Sequence, residues 1–189
     1  MIYSSRFIVI LDANVLYPAP LRDYLLHLAS LGLYKPKWTN KIQDEWIRNL
    51  LTKRPDLKEA SLRLTQGYMD SAFPDSNVTG YEDLIDGLKL PDPDDRHILA
   101  AAIKENADVI VTFNLKDFPG DYINTFDIEV LHPDRFINNL INQDKIKSVQ
   151  ALKNQVSSLR NPPRTINDVL ITLEKCGLIE SVKNLRESV

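Results

Sequence analysis

From Leu90 to Pro119 the chain reads LPDPDDRHILAAAIKENADVIVTFNLKDFP, and this stretch narrows the possible folds more than any other. Pro91 and Pro93 force an extended approach, because a residue before proline avoids the helical region. Three acids follow within four positions: Asp92, Asp94 and Asp95. Ile98, Leu99, Ala102 and Ile103 then recur at helical spacing, which predicts a helix through Glu105 with Asp94 as its cap. The alanine run lets such a helix pack closely. Asp108–Thr112 (DVIVT) is a continuous, β-branched apolar run, the pattern of a strand buried on both faces as in a parallel sheet. Asn114 and Asp117 lie just past its end. An acidic turn, a buried helix, a buried strand and a polar loop make half of an α/β unit, which needs a second strand to pair with.

Phe7–Leu11 (FIVIL) supplies that strand. Asp12 follows directly at its carboxyl end, and Asn14 two positions later. Leu21–Leu31 reads as a helix stopped by Gly32. Lys35–Thr39 reads as a short strand. Thr39 or Asn40 then caps a helix to about Arg54, whose buried face is Ile42, Trp46, Ile47 and Leu50, with Glu45 at its edge. Asp56–Phe73 reads as a helix weakened by Gly67, Glu82–Leu88 as a short helix, and Phe126–Leu131 as a last strand. After Pro133 the pattern is helical: Arg135–Asn142, Lys145–Leu159, Thr165–Cys176 and Leu178–Leu185. Thr165 and Asp168 have the spacing of a capping box. The order of elements predicts an α/β sandwich with a mainly parallel central sheet, followed by a helical C-terminal extension.

With 189 residues, 43% of them hydrophobic, the chain can bury a full core. No run is apolar for long enough to span a bilayer, and the N-terminal residues read as a buried strand rather than a signal peptide. Cys176, the single cysteine, excludes an internal disulfide and fits a reducing cytosol. The net charge of −3 is uneven. Residues 1–132 hold 14 Lys and Arg against 20 Asp and Glu, whereas residues 133–189 hold 9 against 6. The acids belong to the α/β part, and the tail is mildly basic.

Open α/β sheets bind ligands outside the carboxyl ends of their strands. Asp12 sits at one such end, and Thr112, Asn114 and Asp117 sit at or beyond another. A helix running antiparallel to the strands brings Asp94 and Asp95 to the same rim. Crowded carboxylates repel one another, and some take up protons unless a cation joins them. Oxygen donors without a His or Cys cluster suit Mg²⁺ or Mn²⁺ rather than Zn²⁺. A hard ion held with open positions suits phosphodiester hydrolysis. Taken singly, each acid except Asp12 is more often a cap, a turn residue or a solvated side chain than a catalyst.

Four segments also resemble a known family: IVILDANVLYP around Asp12, IQDEWIRNL around Glu45, PDPDDRHILAAAI around Asp95, and ADVIVTFNLKDFP around Asn114 and Asp117. In this order they resemble the PIN-domain ribonucleases over roughly residues 6–132, most of all the VapC-type toxins of prokaryotic toxin–antitoxin pairs. The tail resembles the extra segment of a longer subgroup. The resemblance implies a PIN-like α/β/α sandwich over residues 1–132, with residues 133–189 as the extension. It implies a Mg²⁺- or Mn²⁺-dependent endoribonuclease acting in the cytoplasm, with an RNA substrate, an antitoxin partner and a tendency to homodimerise.

Carried over residue by residue, the resemblance makes Asp12, Asp95 and Asp117 metal ligands and Glu45 a further catalytic acid. Thr112 and Asn14 become supporting groups, with Asp92 and Asp94 as further neighbours of the site. Asn114 stands where many members place an acid, which removes a charge from any second metal. Lys41, Arg48, Arg96 and Lys116 are candidate phosphate contacts, and Lys145, Lys147, Lys153, Arg160 and Arg164 could add others from the tail. Arg96 and His97 are expected to face outward from their helix.

Rival readings are weaker. A haloacid-dehalogenase-type phosphatase needs an acid where Asn14 stands, and a response-regulator receiver domain needs its acids in another order. A non-catalytic PIN-like binding module rests on Asn114 alone. An RNA-processing enzyme differs from a toxin in genetic context rather than chemistry.

Overall fold

The computed structural model describes residues 7–189; residues 1–6 of the expected first domain lie outside the described residues. In chain order the elements are β1 (Ile8–Leu11), α1 (Ala13–Leu16), α2 (Ala19–Ser30), β2 (Lys35–Lys37), α3 (Asn40–Lys53), α4 (Glu59–Ala72), α5 (Arg96–Glu105), β3 (Val109–Val111), α6 (Gly120–Ile123) and β4 (Glu129–Leu131). Four helices complete the chain: α7 (Pro133–Gln143), α8 (Lys145–Ser158), α9 (Ile166–Lys175) and α10 (Ile179–Arg186). This is the α/β class with a helical C-terminal portion.

The four strands form one sheet in the order β2-β1-β3-β4. β1 pairs with β3 in parallel, Val9 opposite Val109 and Leu11 opposite Val111, and β3 pairs with β4 in parallel. Val9, Ile10, Leu11, Val109, Ile110 and Val111 are all buried. Both strands thus read as unbroken apolar runs because neither face meets water. α5 packs on β1 and β3. Its Ala100, Ala101 and Ala102 are buried, so the alanine run brings the helix close to the sheet.

The first expected short helix past Gly80 is a 3₁₀ turn, Glu82–Gly87. The expected cap of α5 also differs. Pro93–Asp95 forms a 3₁₀ turn, Asp92 accepts a hydrogen bond from the Asp94 N–H (2.9 Å), and Asp95 rather than Asp94 is the N-cap residue of α5. Pro93 is pre-set for a first helical position, so the turn starts before the regular helix does. Likewise Asn124–Phe126 is a 3₁₀ turn, and β4 starts only at Glu129. α1 and α6, of four residues each, are too short to show a helical period in the sequence.

The fold divides into two compact units. One comprises Ile8–Tyr17 and Pro36–Leu131 and holds the strand ends and the acidic residues. The other joins Phe7 and Pro18–Lys35 to His132–Val189. Within this second unit, α2 packs on α8 and α9, and α7 packs on α8 and α10. The Tyr24 hydroxyl donates to the Ser148 carbonyl (3.1 Å), and the Asp134 carboxylate accepts the N–H groups of Glu180 and Ser181 at the start of α10. The Thr165–Asp168 capping box forms in both directions, as its spacing predicts. Among the described residues, no helix is long and apolar enough to cross a membrane.

Candidate active site

The site begins with strand register. Leu11 lies opposite Val111, so the next residues, Asp12 and Thr112, emerge side by side at the carboxyl ends of β1 and β3. The ladder continues through them. The Asp12 N–H donates to the Val111 carbonyl and the Thr112 N–H to the Leu131 carbonyl, each at 3.1 Å. Asp12 is then the N-cap residue of α1, where the chain turns away from the sheet.

Asp12 is 4% exposed, and its Oδ2 is held from two sides. Thr112 Oγ1 donates to it at 2.6 Å and Asn14 Nδ2 at 2.6 Å. Asn14 Nδ2 also donates to Thr112 Oγ1 (3.0 Å), and Asn14 Oδ1 accepts the Phe113 N–H (3.1 Å). The Asn114 N–H donates to Thr112 Oγ1 at 3.0 Å. Thr112 therefore gives its one proton to Asp12 and takes two in return, which fixes its rotor. Burial pushes the Asp12 carboxyl above its ordinary range; the bonds from Thr112 and the neighbouring groups oppose that, and Glu45 adds to it.

Asp95 shows most clearly what surrounds it. Its carboxyl is pushed up to about 7, first by burial and then by the charges of Asp12, Asp92, Asp117 and Glu45. Its Oδ2 is buried without a hydrogen-bond partner. Four acids from four separate segments thus act on a fifth. Carboxylates so placed must share a proton or a cation. Asp94 is exposed and is not among the groups acting on Asp95.

Glu45 projects from α3, with its side chain 18% exposed, and its Oε1 lies 3.1 Å from His97 Nε2. His97 is 1% exposed, which corrects the expectation that it faces outward. Arg96 is half-buried, with Nε enclosed and no hydrogen-bond partner, so it too is less available than expected. Lys41, Arg48 and Lys116 are exposed. The basic residues of the tail, Lys145, Lys147, Lys153, Arg160 and Arg164, are exposed as well. Among the described residues, no three Asp, Glu, His or Cys side chains stand as a ready coordination shell. The donor chemistry fits a hard divalent ion all the same: the donors are oxygens, they carry mutually repelling charge, and one buried oxygen lacks a partner.

Residues 8–116 match the family described as PIN domain, and residues 133–187 match the one described as VapC50 C-terminal domain. Over 94 residues, half of this chain, 38% of positions are identical to a protein of Mycobacterium tuberculosis (strain ATCC 25618 / H37Rv) named "Putative ribonuclease VapC50". The matched segment spans 55% of that relative's length. No solved structure matches the chain.

Proposed function

The chain belongs to the PIN-domain family, and we propose that it is a VapC-type member with a C-terminal extension, a divalent-metal-dependent endoribonuclease and the toxin of a toxin–antitoxin pair. The observation that carries the proposal is the gathering of Asp12, Asp92, Asp117 and Glu45 around Asp95, whose buried Oδ2 has no hydrogen-bond partner. The ribonuclease in the name of the Mycobacterium relative supports the same reaction. In this reading residues 1–132 are the nuclease domain and residues 133–189 the extension.

Asp12, Asp95 and Asp117 would hold Mg²⁺ or Mn²⁺. Bound there, the ion would lower the pKa of a water and offset the charge that develops on the phosphate. Glu45 would orient that water and accept its proton. Thr112 and Asn14 hold the Asp12 carboxylate in one rotamer, so little reorganisation is left for the moment of reaction. Asn114 presents a neutral amide where a further carboxylate would favour a second ion. Lys41, Arg48 and Lys116, all exposed, would meet the phosphates of the RNA. Such a toxin acts in the cytoplasm, and its partner would be a small antitoxin encoded beside it.

The test compares RNA cleavage by the native chain and by Asp12→Ala, with Mg²⁺, with Mn²⁺ and with EDTA. Cleavage by the native chain alone, abolished by EDTA, is the expected result. Equal cleavage by the variant, or cleavage that survives chelation, overturns the mechanism. RNA binding without cleavage under all conditions would favour a binding module, the reading to which the missing carboxylate at Asn114 points. A growth arrest relieved by the neighbouring gene would distinguish a toxin from an RNA-processing enzyme.

A further inference from the structure

His97 is the second residue of α5, two positions after Asp95. Its ring is 1% exposed, beside the buried run Ile98–Ala102. A buried imidazole needs a reason, because its polar nitrogens lose water. Here neither ring nitrogen makes a hydrogen bond, and Nε2 lies 3.1 Å from Glu45 Oε1, within reach of one but outside its angular range. A neutral imidazole has one donor and one acceptor nitrogen. A carboxylate only accepts, so Glu45 selects the tautomer with its proton on Nε2. In unliganded sites such bonds are often loosely aligned and tighten when substrate arrives.

Glu45 needs such a partner. It stands at the edge of the buried face of α3, next to Trp46 and Ile47. Its chain has three rotatable bonds, and fixing a side chain of this length costs rotamer freedom. It must also stay near Asp12 and Asp95, whose charge repels it.

We propose that His97 is a positioning residue, whose Nε2–H holds the Glu45 carboxylate toward the acidic site from the same helical turn that presents Asp95. The inference deepens the nuclease reading and rests on it for the role of Glu45. The start of α5 would thereby carry one carboxylate at its N-cap and aim a second.

The test is a double-mutant cycle with His97→Leu, Glu45→Gln and the pair, plus His97→Gln, which keeps an N–H donor. Cleavage of a single-stranded RNA gives kcat and KM, urea unfolding gives stability, and calorimetric titration gives Mn²⁺ affinity. His97→Leu is expected to lower kcat about 10-fold or more with KM within about 2-fold, since a misplacement of about 1 Å costs roughly 100-fold. His97→Gln is expected to recover most of that loss. In the Glu45→Gln background the same leucine should change kcat little, because the carboxylate it no longer aims is already gone. An equal loss in both backgrounds overturns the proposal. So does a glutamine variant as impaired as leucine, or a loss of activity that only follows lost folding. If the native chain cuts no RNA, the nuclease reading fails while the positioning claim is still decided by the urea measurements. A smaller loss of stability on His97→Leu in the Glu45→Gln background than in the native one supports it; equal losses in both backgrounds overturn it.

Discussion

Asp95 carries the most informative charge in the chain. Its carboxyl titrates near 7 when folded, against an ordinary value of 3.8. Between those values the folded chain binds the proton more tightly than the unfolded one, so stability falls as pH rises. The stabilising contribution of that proton is full below about pH 4 and is lost as pH climbs through about 7. Asp95→Asn removes the burden of the buried charge. In EDTA, its melting temperature is expected to exceed that of the native chain at pH 8, with the gain shrinking toward zero at pH 4. Thermal melts across that range check this, and a gain independent of pH would refute it. Thr112, by contrast, was legible from the sequence as a hydroxyl at a strand end. Its network with Asn14 and Asn114 follows from the register of β1 and β3, which a sequence without a partner strand does not display.

Among the elements, α5 links the sheet to the acids. Its apolar spacing was plain in the sequence, as were the two flanking proline positions. The place where it begins was not, because the same residues can open a 3₁₀ turn, bonded three residues apart, or a regular helix, bonded four apart. That short difference decides the roles of three aspartates. Asp92 caps the 3₁₀ turn, Asp95 becomes the N-cap residue, and Asp94 is exposed. The close packing of α5 on β1 and β3 also makes a prediction. Ala101 is fully buried, so Ala101→Leu forces extra volume into a filled space, at a cost of about 1–3 kcal/mol. The urea midpoint should drop with the slope unchanged. An unaltered midpoint would mean that the helix can shift away from the sheet without penalty.

For the whole molecule, the proposed ion and the fold are coupled by mass action. An ion that binds only the folded chain stabilises it by about 2.7 kcal/mol at 100 times its Kd. Adding Mn²⁺ at pH 8 is expected to raise the melting temperature of the native chain and not that of Asp12→Ala. Equal shifts in both would mean that the ion binds elsewhere. The domain division drawn along the sequence, at residue 132, follows the order of the chain. In one of the compact units α2 joins α7–α10, because packing gathers faces regardless of their sequence distance. By itself, the sequence determined which segments are strands buried on both faces, which helices have an apolar side, and which acids stand at strand and helix ends. Periodicity carries that information, since it reports how each element faces the interior. Only the tertiary structure decided which polar groups meet. Asp12 comes beside Thr112 through parallel register, and His97 comes beside Glu45 through the meeting of α5 and α3. Such pairings depend on where two elements approach each other, and the spacing within either element carries no record of it.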